Sequence, residues 1–420
     1  MTFSSILFLF FFLPAALLFC RYDVFIPPSV KRRMSVQTKK KHFKIENLFI
    51  LIFSLFFYGW GEPKYIVIMI FTILLNYICA LLIHSNRTKG KQGAAKAVLV
   101  VSVILNLGIL GFFKYFNFFL TNINNIFGLD IQFLKLALPI GISFYTFQTM
   151  SYTIDVYRND AKVQKNIINL AAYVTMFPQL IAGPIVRYQD VAEQLEYRDG
   201  TAEKFAQGVQ RFCIGLGKKV LLANNIGALW DTVKVMENPT VLSAWLGAFA
   251  FMFQIYFDFS GYSDMAIGMG KMLGFEFLEN FNYPYMARSV TDFWRRWHIS
   301  LGTWFREYVY IPLGGNRKGT ARQILNLLIV WGLTGFWHGA GWNFLFWGLY
   351  YGLLLLAEKL FLGRLLERLP KAVRWLYTAF FVLIGWVLFD LTDFPSLCHA
   401  LKLMFVPQAT DWVAAAATNV

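Results

Sequence analysis

Charge is what this chain of 420 residues has least of. Asp, Glu, Lys and Arg make up only 15% of it, whereas a soluble domain needs about 25% to cover its surface. Cysteine is also scarce: Cys20, Cys79, Cys213 and Cys398 are scattered, most of them in apolar stretches, with no CxxC and no Cys/His cluster. That supports neither a disulfide framework nor a zinc site, no metal site is expected, and all four read as packing hydrophobes. There is no internal repeat and no linker long enough to separate a soluble domain, so the chain reads as one domain over 1–420. The apolar run 4–26 lacks a basic n-region and a small-x-small cleavage site, and no lipobox precedes Cys20. It is expected to be a retained first helix rather than a cleaved signal.

What is abundant is apolar. Hydrophobic types make 57% of the chain and aromatics 18%, with 44 Phe, 20 Tyr and 13 Trp. One aqueous core cannot hide so much, and the solvent is therefore a bilayer. Lys and Arg exceed Asp and Glu by 39 to 24, a net charge of +15. In a soluble protein that excess would point to nucleic acid. Here the basic residues lie between apolar segments, where they orient the chain and meet the headgroups of membrane lipids, and nucleic acid is not expected as a partner.

Candidate membrane segments fall near 4–26, 47–60, 64–84, 97–113, 133–154, 168–186, 206–226, 242–259, 323–338, 342–362 and 372–391. The expected fold is all-α and polytopic, with about ten to twelve transmembrane helices. Several segments are shorter than the ~20 residues of a full span or are broken by Pro and Gly, as at Leu138-Pro139-Ile140-Gly141. Re-entrant and interfacial helices are therefore expected as well. The loop Lys31–Lys44 carries seven basic residues and Asn86–Lys96 four, while Gly61–Lys64 and Lys114–Gln132 carry one each. Eleven against two places the first pair in the cytoplasm and the N-terminus outside.

Most of the polar residues with chemical interest lie between Gln254 and Asn343. Asp258 and Asp264 stand six apart at or near membrane depth, where an unpaired carboxylate costs roughly 2.5–3.5 kcal/mol. They read as structural groups that hydrogen-bond neighbouring helix ends. Trp294, Trp297, Trp304 and Tyr308 recur near helical spacing, with Arg295, Arg296 and Arg306 on other faces. That is the pattern of an interfacial helix, aromatics at headgroup depth and arginine toward phosphate or water. His298 is the odd member, because such a helix has no need of an imidazole. A glycine-rich basic turn follows, with Asn316, Arg317 and Lys318, and the segment 323–338 ends in Trp337-His338-Gly339, shortly before Asn343. Sixteen residues place His338 roughly 20–24 Å along its helix, deep in the bilayer. An ionisable side chain there is a functional candidate by default, against the alternative of a helix-bridging hydrogen bond, and imidazole exchanges protons near neutral pH. His42, His84 and His399 sit in or beside loops and carry no assignment.

An ordered set of motifs runs through the chain. It comprises Phe3-Ser4-Ser5-x-x-Phe8-Leu9-Phe10, Leu138-Pro139-Ile140-Gly141-Ile142-Ser143-Phe144-Tyr145, and Phe177-Pro178-x-Leu180-Ile181-Ala182-Gly183-Pro184. It continues with Phe257-Asp258-Phe259-Ser260-Gly261-Tyr262-Ser263-Asp264, Phe293-Trp294-Arg295-Arg296-Trp297-His298, Leu313-Gly314-Gly315-Asn316-Arg317-Lys318-Gly319 and Trp337-His338-Gly339-Ala340. At these residues the sequence resembles the membrane-bound O-acyltransferases, and within them the bacterial membrane proteins that serve O-acetylation of alginate, peptidoglycan and other exopolysaccharides. The resemblance implies a catalytic core at roughly 133–362 around a central funnel, with His338 as the catalytic histidine and His298 as the second active-site position. It further implies acetyl-CoA as a thioester co-substrate at the cytoplasmic face of the inner membrane, with no bound cofactor. Expected partners are a separate extracytoplasmic O-acetyltransferase protein and a polysaccharide biosynthesis complex.

Trp294, Arg295, Arg296, Trp297, Trp304, Asn316, Arg317, Lys318 and Asn343 are the candidates for binding donor or substrate. Guanidinium groups pair with phosphate oxygens bidentately, although the same cations also serve positive-inside topology. Longer members of the branch continue beyond Asn419-Val420, so a shorter relative and a truncated C-terminus are both open. Two other readings stand beside acetyl transfer. One is D-alanyl transfer to teichoic acid; the other is a transporter or flippase, for which internal repeats would be expected.

Overall fold

The computed structural model describes residues 1–21, 36–181, 183–198, 200–237, 239–407 and 411. The basic residues Lys31, Arg32 and Arg33 and the terminal Asn419-Val420 lie outside the described residues. All regular structure among the described residues is helical, as expected of an all-α membrane protein.

Among the described residues six helices are long and apolar enough to cross a membrane: His42–Gly61, Ile66–Thr88, Gln92–Phe127, Val241–Met272, Trp342–Arg368 and Lys371–Asp390. The chain is a multi-pass membrane protein. Several of the ten to twelve expected spans are not among the six, each for a local reason. The described part of the first apolar run forms a shorter apolar helix, Phe8–Cys20, and residues 22–26 of that run lie outside the described residues. The segment 133–154 has no helix before Ile142, and 168–186 keeps only the short helix Ile167–Thr175. The segment 206–226 passes through a π-helical stretch, Lys218–Ala223, and carries Arg211, Lys218 and Lys219. Thr320–His338 carries Arg322, Gln323, Asn326, Thr334 and His338 among its apolar residues.

Where the sequence reads as one domain, packing divides the chain into two compact units interleaved in sequence. The first comprises Met1–Leu216 and Tyr262–Glu279, the second Gly217–Gly261 and Asn280–Val420. In the first unit the Ile66–Thr88 helix is apolar outward and carries two polar side chains on its otherwise apolar buried face. Phe71, Leu74, Ile78 and Leu82 are exposed, while Thr72 and Asn76 are buried. Asn76 donates to Asn106 Oδ1 at 3.0 Å and accepts from Ser102 Oγ at 3.1 Å. Polar side chains join helices in this way where apolar contact with lipid offers no preference for association. A buried ion pair, Arg198 with Glu46 at 3.0 Å, is completed by Asn47, which accepts from Arg198 at 2.7 Å.

All three histidines expected in or beside loops lie on helices, His399 in Phe394–Phe405. His84 is in Ile66–Thr88, and His42 is in Val36–Gly61 with Glu46 at 3.5 Å. Cys20 and Cys79 are buried, as packing residues should be, but Cys213 and Cys398 are exposed. Asp264 belongs to the first unit and is paired with Arg211 at 2.6 Å, which also holds Glu279 at 2.6 Å. Asp258 belongs to the second unit and pairs with Lys219 at 2.6 Å. Both carboxylates are therefore satisfied by cations and not, as expected, by helix ends alone.

Candidate active site

The second unit is built on aromatic packing. Trp297, Trp331, Trp347, Trp386, Phe293 and Tyr351 form its buried core, with Trp294 packed against it. This overturns the single interfacial helix expected over Trp294–Tyr308. Trp297 and Trp304 are each only 3% exposed, so they are core residues and not headgroup anchors. The stretch is two short helices, Val290–Arg296 and Ile299–Phe305, followed by a π-helical turn at Arg306–Tyr310.

Several groups set the first short helix in place. Ser289 Oγ caps it by accepting from Asp292 N–H at 3.0 Å. The buried Glu358 accepts from Val290 N–H at 2.7 Å, Thr291 N–H at 2.8 Å and Thr291 Oγ1 at 2.6 Å. Three donors on one carboxylate satisfy its buried charge. Arg296 pairs with Asp292 at 2.8 Å on the same helix, and Arg295 is exposed.

His298 is the corner between the two short helices, with φ 46° and ψ 52°. That left-handed conformation is uncommon outside glycine. Backbone bonds on both sides hold it: Asn282 N–H to Arg296 O at 2.9 Å and Ile299 N–H to Asn280 O at 3.0 Å. The ring is buried and lies edge-on to Phe259, centroids 4.7 Å apart. Burial pushes its pKa down from 6.5 to about 3, because desolvation penalises the imidazolium, so the ring is neutral at physiological pH.

His338 ends the Thr320–His338 helix. Its ring meets Trp337, Trp347 and Phe389 at centroid distances of 5.0, 5.0 and 5.3 Å, close to perpendicular in each case. Trp337 also approaches His298 at 6.1 Å. Both imidazoles thus share one indole neighbour. Asn343, a candidate binding residue, is buried and donates to Phe389 O at 3.4 Å, which ties the wall of the His338 site to the next helix.

A cavity of about 170 Å³ is lined by Trp294, Trp297 and His298 together with Arg306, Tyr310 and Thr334, among others. Trp304 is buried but does not line it. Asn316, Arg317 and Lys318 are exposed on the Leu313–Gly319 turn, whose Gly314, Gly315 and Gly319 take positive φ. Asn316 accepts from Tyr310 Oη, Gln323 and Lys359. Among the described residues no group of three His, Cys, Asp or Glu stands close enough to hold a metal ion. Most of the expected residues fall into three sets: Trp294, Trp297 and His298 at the cavity, Asn343 beside the wall of the His338 site, and the exposed cations Arg295, Arg317 and Lys318; Arg296, paired with Asp292, the buried Trp304 and the exposed Asn316 stand outside them. The sequence did not single out Asn280, Trp347, Glu358 or Phe389, which enter the site through contacts distant in sequence.

Residues 158–394 match the family model described as MBOAT, membrane-bound O-acyltransferase family. The chain is 43% identical over 409 residues to a probable alginate O-acetylase of Pseudomonas aeruginosa, covering 96% of this chain and 75% of that protein. It is 36% identical over 435 residues to a peptidoglycan O-acetyltransferase of Helicobacter pylori, covering 96% and 79%. A teichoic acid D-alanyltransferase of Bacillus subtilis is 28% identical over 255 residues, 56% of this chain and 62% of that protein.

Proposed function

The chain belongs to the membrane-bound O-acyltransferase family, and from that premise we propose that it moves an acetyl group from a cytoplasmic thioester, acetyl-CoA, toward O-acetylation of an extracytoplasmic polysaccharide. The observation that carries this reading is the placement of His298 and His338 against the same Trp337 indole in a densely aromatic core. His338 is the general base. It takes the proton from an acceptor hydroxyl as that oxygen attacks the thioester carbonyl carbon, the carbon–sulfur bond breaks, and the proton passes to the departing thiolate. Proton transfer of this kind typically contributes 10²–10⁴-fold in rate.

The exposed Arg295, Arg317 and Lys318 support binding of the phosphates of the donor. Relatives named for alginate and peptidoglycan O-acetylation align over nearly the whole chain, the D-alanyltransferase over about half, which favours acetyl over D-alanyl transfer and a glycan as acceptor. The reading places the protein in the inner membrane with its N-terminus outside, in accord with eleven basic residues against two in the first loops. It gives the protein a separate extracytoplasmic O-acetyltransferase partner within a polysaccharide biosynthesis complex.

The test compares wild type, His338→Ala and His298→Ala at matched membrane levels. The O-acetyl content of surface glycan is read by mass spectrometry, and consumption of acetyl-CoA is followed with purified protein. Acetylation is expected to disappear in His338→Ala and to fall in His298→Ala. Full activity without the His338 imidazole would overturn the mechanism, and failure of the wild type to consume acetyl-CoA would overturn the donor.

A further inference from the structure

His298 Nδ1 lies 3.1 Å from Asn280 Oδ1, and that same oxygen is 3.2 Å from Ser300 N and 2.9 Å from Ser300 Oγ. A backbone N–H can only donate, so the amide atom facing it must be the oxygen; turning the amide over would set two donors against each other. With the oxygen so placed, the imidazole nitrogen that faces it must carry its hydrogen. A neutral imidazole has one N–H, and its other nitrogen is then an unprotonated acceptor.

We propose that Asn280 holds His298 in the Nδ1-protonated tautomer, so that Nε2 meets the substrate as a hydrogen-bond acceptor in the transfer reaction. The proposal rests on the reading of His298 as an active-site residue and assigns Asn280 as a positioning residue, acting through the ring.

Several constraints make the arrangement rigid. Asn280 is fully buried. Its backbone carbonyl accepts from Ile299 N–H at 3.0 Å, so one residue grips both the chain after the corner and the ring at the corner. Phe259 stands edge-on to the imidazole, 89° between planes, and Trp337 approaches it from another element. Rotation of the ring to exchange its nitrogens would have to displace these rings and strand the Asn280 oxygen. Since the imidazole lines the cavity and Nδ1 is occupied, Nε2 is the nitrogen available to a bound molecule. A hydroxyl or a thiol is the group that fits it, because each brings a hydrogen to donate. The two histidines then divide the work: His298 orients the reacting X–H group and His338 removes its proton.

The tautomer is read from ¹³C and ¹⁵N NMR shifts of the full protein with labelled histidine, the His298 signals being assigned by their loss in His298→Gln. An Nδ1–H tautomer that stays neutral from pH 7 to pH 5 is expected. An Nε2–H tautomer, or an averaged signal, overturns the proposal whatever the variants do. Kinetically, Asn280→Ala should lower kcat about 10- to 100-fold, by analogy with loss of a group that orients a metal-ligating histidine, with KM for acetyl-CoA within about twofold. Asn280→Asp keeps the acceptor and should recover most of the rate at neutral pH, while its carboxylate raises the imidazole pKa and adds an acid-side loss of activity that wild type lacks. Unchanged kcat in Asn280→Ala would refute the positioning role. A fully active His298→Ala would instead remove His298 from the reaction and leave the tautomer result standing, so the two failures are distinguishable.

Discussion

Replacing Gly348 with alanine should disable the enzyme by displacing His338 without touching it. The Thr320–His338 and Trp342–Ala357 helices pack closely at Gly335 and Gly348. A Cβ at Gly348 would fall inside contact distance of Trp331 O, 3.0 Å from Gly335 N and 3.1 Å from Gly335 Cα. Ordinary carbon contacts sit at ~3.5–4.0 Å. The Gly335 Cα distance alone therefore asks for a retreat of about 0.5 Å, and the Trp331 carbonyl asks for more. No flexible side chain is available to give way, so the helix backbones must part. Overpacking of this kind costs typically 1–3 kcal/mol. Because Trp347, which flanks His338 at 5.0 Å, and His338 itself ride on the two helices, a shift approaching 1 Å is expected to cost about 10²-fold in rate. Gly332→Ala is the internal control, on the facing Thr320–His338 helix: its Cβ would meet only Leu345 Cδ1 at 3.9 Å, an ordinary contact, and activity should be retained. Glycan O-acetylation per unit of membrane protein is the assay. Wild-type activity in Gly348→Ala at wild-type membrane level, or equal losses in the two variants, would refute the reasoning.

Two further outcomes follow from the same unit. Glu358→Gln converts one of the acceptor oxygens that receive Val290 N–H, Thr291 N–H and Thr291 Oγ1 into a donor, leaving a buried mismatch worth about 1–3 kcal/mol. The apparent melting temperature in detergent should fall and acetylation with it; a variant as stable as wild type would show that this carboxylate does not hold the helix leading to His298. For the pH dependence, the folded pKa of His298 is about 3 and the unfolded value is near 6.5. Its contribution is complete above about pH 6.5. Below that the unfolded chain takes up a proton that the folded one refuses, and stability falls by up to about 1.4 kcal/mol per pH unit. Wild type should therefore lose more melting temperature between pH 7 and pH 5 than His298→Gln does, and parallel losses would count against a neutral buried ring.

The two histidines stood out in the sequence as candidates because each breaks the logic of its surroundings: an imidazole at an apolar helix end or in an aromatic stripe is a functional candidate by default. The aromatic residues around them were legible as residues and misread as locations. Trp297 and Trp304 fit the spacing of an interfacial helix, and both are core. An aromatic pays the same sequence signal to headgroups as to a protein interior, so periodicity cannot separate the two environments. Nor could it see that the chain turns at His298. The turn is held by backbone bonds to Asn280 and Asn282, partners about sixteen residues away or more, and nothing near His298 in the sequence calls for it.

The sequence by itself determined the solvent, the helical class and which ionisable side chains stand out as candidates, because these depend on composition and on neighbours along the chain. Tertiary structure decided which nitrogen of His298 faces Asn280, which carboxylate secures its helix, and which glycines let the His338 helix seat against its neighbour. Those properties are fixed by groups that meet only on folding, Asn280 with His298, Glu358 with Val290 and Thr291, and Gly335 with Gly348. A hydrogen bond or a close backbone approach depends on position to within tenths of an ångström, and residue order carries no such coordinate until the helices pack.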